Sequence, residues 1–260
     1  MIDTHVHLDA PEFDADRAAV LAEARVAGVD GFVVPAVARS GFAALGRLAA
    51  AESDVYPAYG LHPMYLAEHA DADVAVLAGW LAGSTAVAVG ECGLDFFVAG
   101  LDPERQRRLF DAQLRLARDA RLPVIVHARK AVDEVTSMVR RIGGLTGVVH
   151  SFSGSRDQAL RLIDLGFRLG FGGPLTYPRA QRLRHLVATL PAEALLAETD
   201  APDQPLCGFQ GLRNAPVRLA RVVATMAELR AVPVAAMAIP LDANARALFR
   251  LPQAPDTTLG

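Results

Sequence analysis

Two imidazoles stand two residues apart at the end of the first apolar run, Ile2-Asp3-Thr4-His5-Val6-His7. Side chains at i and i+2 of a strand share a face, so His5 and His7 can grip one cation. The pattern recurs along the chain. Ala86-Val87-Ala88-Val89-Gly90 leads to Glu91, Pro123-Val124-Ile125-Val126 to His127, and Gly147-Val148-Val149 to His150. Leu195-Leu196-Ala197 runs into Glu198-Thr199-Asp200. Buried strands should not end in charge or imidazole without cause, because burying such groups unpaired is costly. Of the seven histidines, His5, His7, His62, His127 and His150 fall at or just past a predicted strand end. A metal centre explains that recurrence. Glu91 can bridge two cations ~3.5–4 Å apart. His127 and His150 can complete the shell of the second cation, and Asp200 can bind the first and accept a proton from water. Glu198, two residues earlier on the same face, lies deeper and reads as a supporting group. Imidazole with carboxylate suits zinc, manganese or magnesium, and such ions lower the pKa of bound water from ~15.7 toward ~7.

The elements that must position these groups alternate. Short β-rich runs lie near 2–6, 31–37, 55–60, 86–91, 123–127, 146–150, 167–172 and 194–199, separated by stretches of helical apolar spacing. The clearest helix spans roughly 103–121. Asp102 caps it, Pro103 suits its first position, and Leu109, Phe110, Gln113, Leu114, Leu116 and Ala117 mark its inner side. Its arginines read as a solvated face. Eight strands alternating with helices predict a (β/α)₈ TIM-type barrel, a fold of ~250 residues. An open doubly wound sheet fits less well. No Gly-x-Gly-x-x-Gly follows the first strand, and ligands on strands 1, 4, 5, 6 and 8 would spread across an open sheet. One barrel domain is expected over 1–252, with a flexible tail at 253–260.

Composition narrows the class. The chain has 260 residues, 52% hydrophobic and 21% charged, enough apolar content for a sizeable core and too ordered a balance for a disordered chain. Its net charge of −3 excludes a globally basic nucleic-acid coat while permitting a local basic groove. Cys92 and Cys207 are far apart, which disfavours a disulfide framework and suits a reducing compartment. A first strand at Ile2 leaves no room for a signal peptide. No apolar run approaches the ~20 residues of a membrane span. A cytoplasmic protein without membrane attachment or obligate protein partner is expected.

The motifs Asp3-Thr4-His5-Val6-His7-Leu8-Asp9, Gly60-Leu61-His62-Pro63, Gly90-Glu91-Cys92-Gly93-Leu94-Asp95, Val149-His150-Ser151-Phe152-Ser153-Gly154 and Glu198-Thr199-Asp200-Ala201-Pro202 occur in this order. Together they resemble the TatD family of metal-dependent deoxyribonucleases over about residues 2–250. The stretch Ala201-Pro202-Asp203-Gln204-Pro205-Leu206-Cys207-Gly208-Phe209-Gln210-Gly211 resembles the family's YjjV-type branch more closely. The resemblance implies an amidohydrolase-like barrel. It implies one divalent metal on His5 and His7, a Glu91 bridge, a second metal on His127 and His150, and Asp200 as ligand to the first metal and proton acceptor. Two positions depart from the family pattern: Asn214-Ala215-Pro216 lacks an acidic residue after Asn214, and Phe96 lacks a tyrosine hydroxyl. Both are read as substrate-contacting positions, which leaves metal hydrolysis intact and nucleic-acid preference open.

Lys130 is the only lysine and lies three residues past His127, so a carbamylated lysine on strand 4 cannot bridge the metals. Arg129 and Lys130 suit a phosphate clamp, or equally a surface pair on a loop. His62 is read as a contact to substrate or leaving group. His69 and His185 are read as surface residues. Gly170-Phe171-Gly172-Gly173 is a tight turn that either admits a phosphate or simply closes a βα connection. The expected activity is divalent-metal-dependent phosphodiester hydrolysis with metal-activated water, acting on single-stranded DNA or another phosphodiester. Amide or ester hydrolysis, including aminoacyl esters, is the alternative that the site chemistry fits equally. A non-enzymatic metal-binding role is disfavoured because the ligand set and the base are all present.

Overall fold

A computed structural model describes residues 1–253; the expected tail at 253–260 lies, apart from Gln253, outside the described residues. Eight parallel strands pair in sequence order. They are β1 (Ile2–Asp3), β2 (Gly31–Pro35), β3 (Val55–Tyr59), β4 (Ala88–Asp95), β5 (Val124–Arg129), β6 (Gly147–Val149), β7 (Phe167–Phe171) and β8 (Leu195–Ala197). The seam between β8 and β1 is drawn shut by Thr4 N–H donating to Ala197 O at 3.2 Å and Asp200 N–H to His5 O at 2.9 Å. The result is the (β/α)₈ barrel that the alternating pattern predicts.

The helices are α1 (Arg17–Val26), α2 (Phe42–Ala51), α3 (Asp73–Gly83), α4 (Pro103–Ala120), α5 (Val132–Ile142), α6 (Arg156–Asp164), α7 (Gln181–Thr189), α8 (Leu219–Leu229) and α9 (Val234–Phe249). In α4 the Asp102 carboxylate accepts from Glu104 N–H at 2.9 Å and Arg105 N–H at 3.3 Å, as the sequence signals. No single helix among the described residues is long and apolar enough to cross a membrane; the apolar run Pro216–Leu229 and α9 are bent apart by 112°.

Strand alternation sorts the core into two parts. Phe32, Val34, Val124, Val126, Val149, Leu195 and Ala197 face the helices. Ile2, Val33, Ala58, Ala88, Ile125, Val148 and Leu196 form a separate cluster inside the barrel, plugged from below by Ala245, Leu248 and Phe249 of α9 and by Leu251. The inner row sets what comes next along each strand. Two residues beyond Ile125, Val148 and Leu196 stand His127, His150 and Glu198, with Asp200 two further on. The hydrophobic floor therefore gives way to polar ligand types at the C-terminal mouth, the end where barrel enzymes carry their sites.

Candidate metal centre at the barrel mouth

Strand β4 is irregular, and the irregularity serves Glu91. Its register against β5 passes from Val89↔Val124 to Cys92↔Val126, so three residues of β4 span two of β5. Such a bulge re-aims side chains, and Glu91 turns into the barrel with 2% of its surface exposed. The strand then continues to Asp95, four residues past the expected end. Gly93 permits this: its φ is +143°, and a Cβ there would lie 2.0 Å from His127 O.

The two oxygens of Glu91 face different partners. Oε2 lies 3.1 Å from His5 Nε2 and 3.7 Å from His7 Nε2. Oε1 lies 2.8 Å from His150 Nε2, 3.1 Å from His127 Nδ1 and 2.9 Å from His62 Nε2. Asp200 Oδ1 joins the first set, 3.6 Å from His5 Nε2 and 3.5 Å from His7 Nε2. The residues expected to converge therefore do so: His5, His7, Glu91, His127, His150 and Asp200, from five strands, meet around one carboxylate.

The tautomers follow from the outer contacts. His7 Nδ1 faces the Pro35 carbonyl at 3.2 Å and His127 Nε2 faces Asp95 Oδ2 at 2.9 Å. Those oxygens can only accept, so the outer nitrogens carry protons, and the inner nitrogens are the ones that can shed a proton and turn a lone pair to a cation. His62 is the reverse. Met64 N–H donates to its Nδ1 at 3.1 Å, which leaves the proton on Nε2, donated to Glu91 Oε1. His62 is thus a poorer ligand than His150, although it also stands within ligand distance of Glu91 and His127. Glu198 sits beneath His150, accepting from Ser151 N–H at 2.5 Å. A Cβ at Gly170 would come within 2.1 Å of its Oε2, so the glycine makes room for that carboxylate. Imidazole nitrogens crowded against carboxylates, with His5 Nδ1, His150 Nδ1 and Glu198 Oε2 buried and unpartnered, fit a donor set for divalent cations.

The charges are coupled. Burial alone would raise the Glu91 carboxyl, but His150, His62, His5 and His127 outweigh it and hold it well below the carboxylate range. Burial opposes charge on His7 and His150, yet Asp200 pushes His7 up to about 9 and Glu91 pushes His150 up to about 10. Burial takes His5 down to about 4, helped by the neighbouring His150. Asp200 is held at about 2, its burial overcome chiefly by His7 and His5. A cleft of about 830 Å³ opens over the cluster. Its walls include Asp9, Glu12, His62, Met64, Tyr65, Arg129, Asp203 and Gln204.

A family model for TatD related DNase matches residues 2–250. The chain belongs to the TatD family. It is 46% identical over 256 residues to the metal-dependent hydrolase YjjV of Escherichia coli (strain K12), covering 96% of this chain and 98% of that one. It is 34% identical over 265 residues to the 3′-5′ ssDNA/RNA exonuclease TatD of Erwinia billingiae (strain Eb661), covering 97% and 100%. The crystal structure of the TatD homologue YjjV from E. coli superposes with a TM-score of 0.94 at 45% identity, covering 97% of this chain and 98% of that chain. An organophosphorus hydrolase variant from Deinococcus radiodurans, 15% identical with a TM-score of 0.63 over 95% of this chain and 92% of its own, shares the fold. This TatD-family chain is a metal-dependent hydrolase.

Several placements in the TatD-family barrel differ from the sequence reading or extend it. Arg129 lines the cleft, whereas Lys130 lines an adjoining hollow with Phe96 and Asp133. His69 is buried rather than on the surface, because its Nε2–H donates to His62 O at 2.9 Å. Neither Phe96 nor Asn214-Ala215 lines the cleft. Asn214 is buried and braces the last loop, its Nδ2 donating to Thr199 O at 2.9 Å. Asp95 was missed as a site residue. The signal was available, since Gly93 at a strand end allows the strand to run on and aim Asp95 at His127. Also missed were two clamps on α4. Gln106 accepts from Asp95 N–H at 2.7 Å and donates to Asp95 O at 2.9 Å. Gln113 does the same to Leu61, beside His62, at 2.7 and 3.1 Å.

Proposed function

We propose that the chain hydrolyses phosphodiester bonds of single-stranded nucleic acid with two divalent cations. One is held by His5, His7 and Asp200, the other by His127 and His150, and Glu91 lies between them. The observation that carries this reading is the division of Glu91, with one oxygen toward each imidazole set. The substrate class draws support from the exonuclease TatD relative.

Such cations supply Lewis acidity that lowers the pKa of water and offsets charge growing on a phosphoryl oxygen. The protein's own residues do the rest. Asp95 and Pro35 fix the rings of His127 and His7. Asp200, held by the Gln204 amide at Oδ2, accepts a proton from the attacking water. His62 is kept neutral by burial; its single N–H is spent on Glu91 Oε1, and its ring lines the cleft where the substrate lies. Gln113, through Leu61, holds the backbone next to it.

The test uses protein stripped with EDTA and a 5′-labelled single-stranded oligonucleotide. Magnesium, manganese or zinc should restore cleavage, and Asp200→Asn should lower it by about 10²–10⁴-fold. Metal-loaded protein that cuts no oligonucleotide with any of these ions refutes the reading. Turnover of simple esters or amides by the same protein would then favour the second chemistry.

A further inference from the structure

The rim of the cleft carries two cations gathered on one aromatic ring. Phe97 follows β4 and is 52% exposed. The Arg129 guanidinium lies 3.7 Å from its ring centroid and the Lys130 ammonium 4.9 Å from it. An exposed phenylalanine between strand-end loops is hard to explain by packing, and cation–π contact gives it a purpose. Both cations are exposed at the end of β5. The acidic side chains of the adjoining hollow do not neutralise them, since Glu134 is engaged by Arg107 and Asp133 by Arg161. Arg129 faces the cleft that holds Glu91, and Lys130 stands one step outside it.

The opposite wall has the other sign. Asp9 and Glu12, after β1, and Asp203, after β8, line the cleft there. β8 and β1 adjoin at the seam, across the barrel from β4 and β5. An anionic strand seated on the metal cluster is repelled on the β8–β1 side and attracted on the β4–β5 side.

We infer that Arg129 and Lys130, carried on Phe97, form an exit track for a nucleic-acid backbone, binding the phosphates beyond the one being cut. The inference rests on the phosphodiesterase reading and names the direction in which the strand leaves. Arg129 takes the first phosphate outside the metal cluster and Lys130 the next. Phe97 holds the guanidinium flat, which preserves its paired N–H donors for phosphate oxygens.

The test is fluorescence anisotropy of a labelled, cleavage-resistant phosphorothioate oligothymidylate with the magnesium-loaded protein, across a salt series. Each phosphate contact contributes about 0.7 to the slope of log affinity on log salt for single strands. Arg129→Gln and Lys130→Gln should each flatten the slope by about 0.7 and weaken binding about tenfold at low salt. Phe97→Ala should weaken binding while keeping most of the slope, and Phe97→Tyr should restore it. Wild-type slope and affinity in both charge variants overturn the track, as does an oligonucleotide that wild-type protein does not bind at low salt. Binding that depends on Arg129 and Lys130 without any metal-supported cleavage keeps the track and removes the nuclease reading. Cleavage with unaltered slopes in the variants does the reverse.

Discussion

Replacing Glu91 with glutamine keeps the shape of the side chain and removes one negative charge from the middle of the cluster. Five imidazole nitrogens lie 2.8 to 3.7 Å from its two oxygens, so the loss reaches both halves of the centre. At ~4 Å and an effective dielectric near 20, a unit charge acts on a divalent ion with about 8 kcal/mol, of which the glutamine amide dipole and entering water replace the larger part. Side-chain relaxation returns part of the remainder, and a loss of two to three decades is expected. Metal content per chain, measured by mass spectrometry in chelator-buffered solutions, should show Glu91→Gln retaining fewer than two ions where wild type holds two. Two ions per variant chain at the wild-type midpoint would refute the bridging role. The metal-free proteins give a second check. Without Glu91, the His150 ring loses its main support for a proton, so its pKa falls back toward or below that of the unfolded chain. The variant should therefore be least stable relative to wild type near pH 6, with the gap narrowing as pH rises. Removing one partner of a buried charged set costs about 3–5 kcal/mol, which bounds the gap. A gap that widens toward alkaline pH would contradict the assignment.

The other expectations concern the surrounding shell. Asp95→Asn removes the acceptor that fixes the His127 tautomer and should weaken uptake of the ion on that side by about 10–100-fold, read by calorimetry; unchanged affinity for both ions removes its role. His7 and His150 sit at about 9 and about 10, above the ordinary 6.5. Their contribution to metal-free stability is complete below pH 6.5 and lost as pH climbs through 9 to 10, so denaturant midpoints of stripped protein should fall across that window. Metal binding must displace those same protons. Calorimetry near pH 7.5, in buffers of different ionisation enthalpy, should record proton release, and buffer-independent heats would count against it. Gly170→Ala forces a methyl group against Glu198 and should cost about 1–3 kcal/mol; a variant with wild-type melting behaviour would show that the carboxylate can move aside.

Much of the centre was legible because strand periodicity is a strong signal when the inner row changes character. Ile125 to His127 and Val148 to His150 each step from floor to candidate ligand without breaking register, and Leu196 steps to the supporting Glu198. The boundaries were less legible. Strand β4 was expected to end at Glu91; the bulge and the close pass of Gly93 over His127 O carry it to Asp95 instead. His69 was assigned to the surface from its polar neighbours, but its role comes from one hydrogen bond to His62 O. Gln113 was read as an inner residue of α4, and Gln106 was given no role. Nothing local in the sequence announces that their amides reach across to other strands. Arg129 and Lys130 were read as a pair, and the turn after β5 sends them to different hollows.

The two glutamines of α4 also bear on how the barrel top deforms. They are seven residues apart on one face, a span of about 10.5 Å along a helix, and each grips both backbone groups of one residue at a strand exit. The exits of β3 and β4 are thereby indexed to a single rigid rod. A sideways slip or tilt of that rod carries the neighbourhoods of His62 and His127 with it. Drift in this quarter of the rim is thus concerted, and the heights of His62 and His127 stay matched during breathing motions.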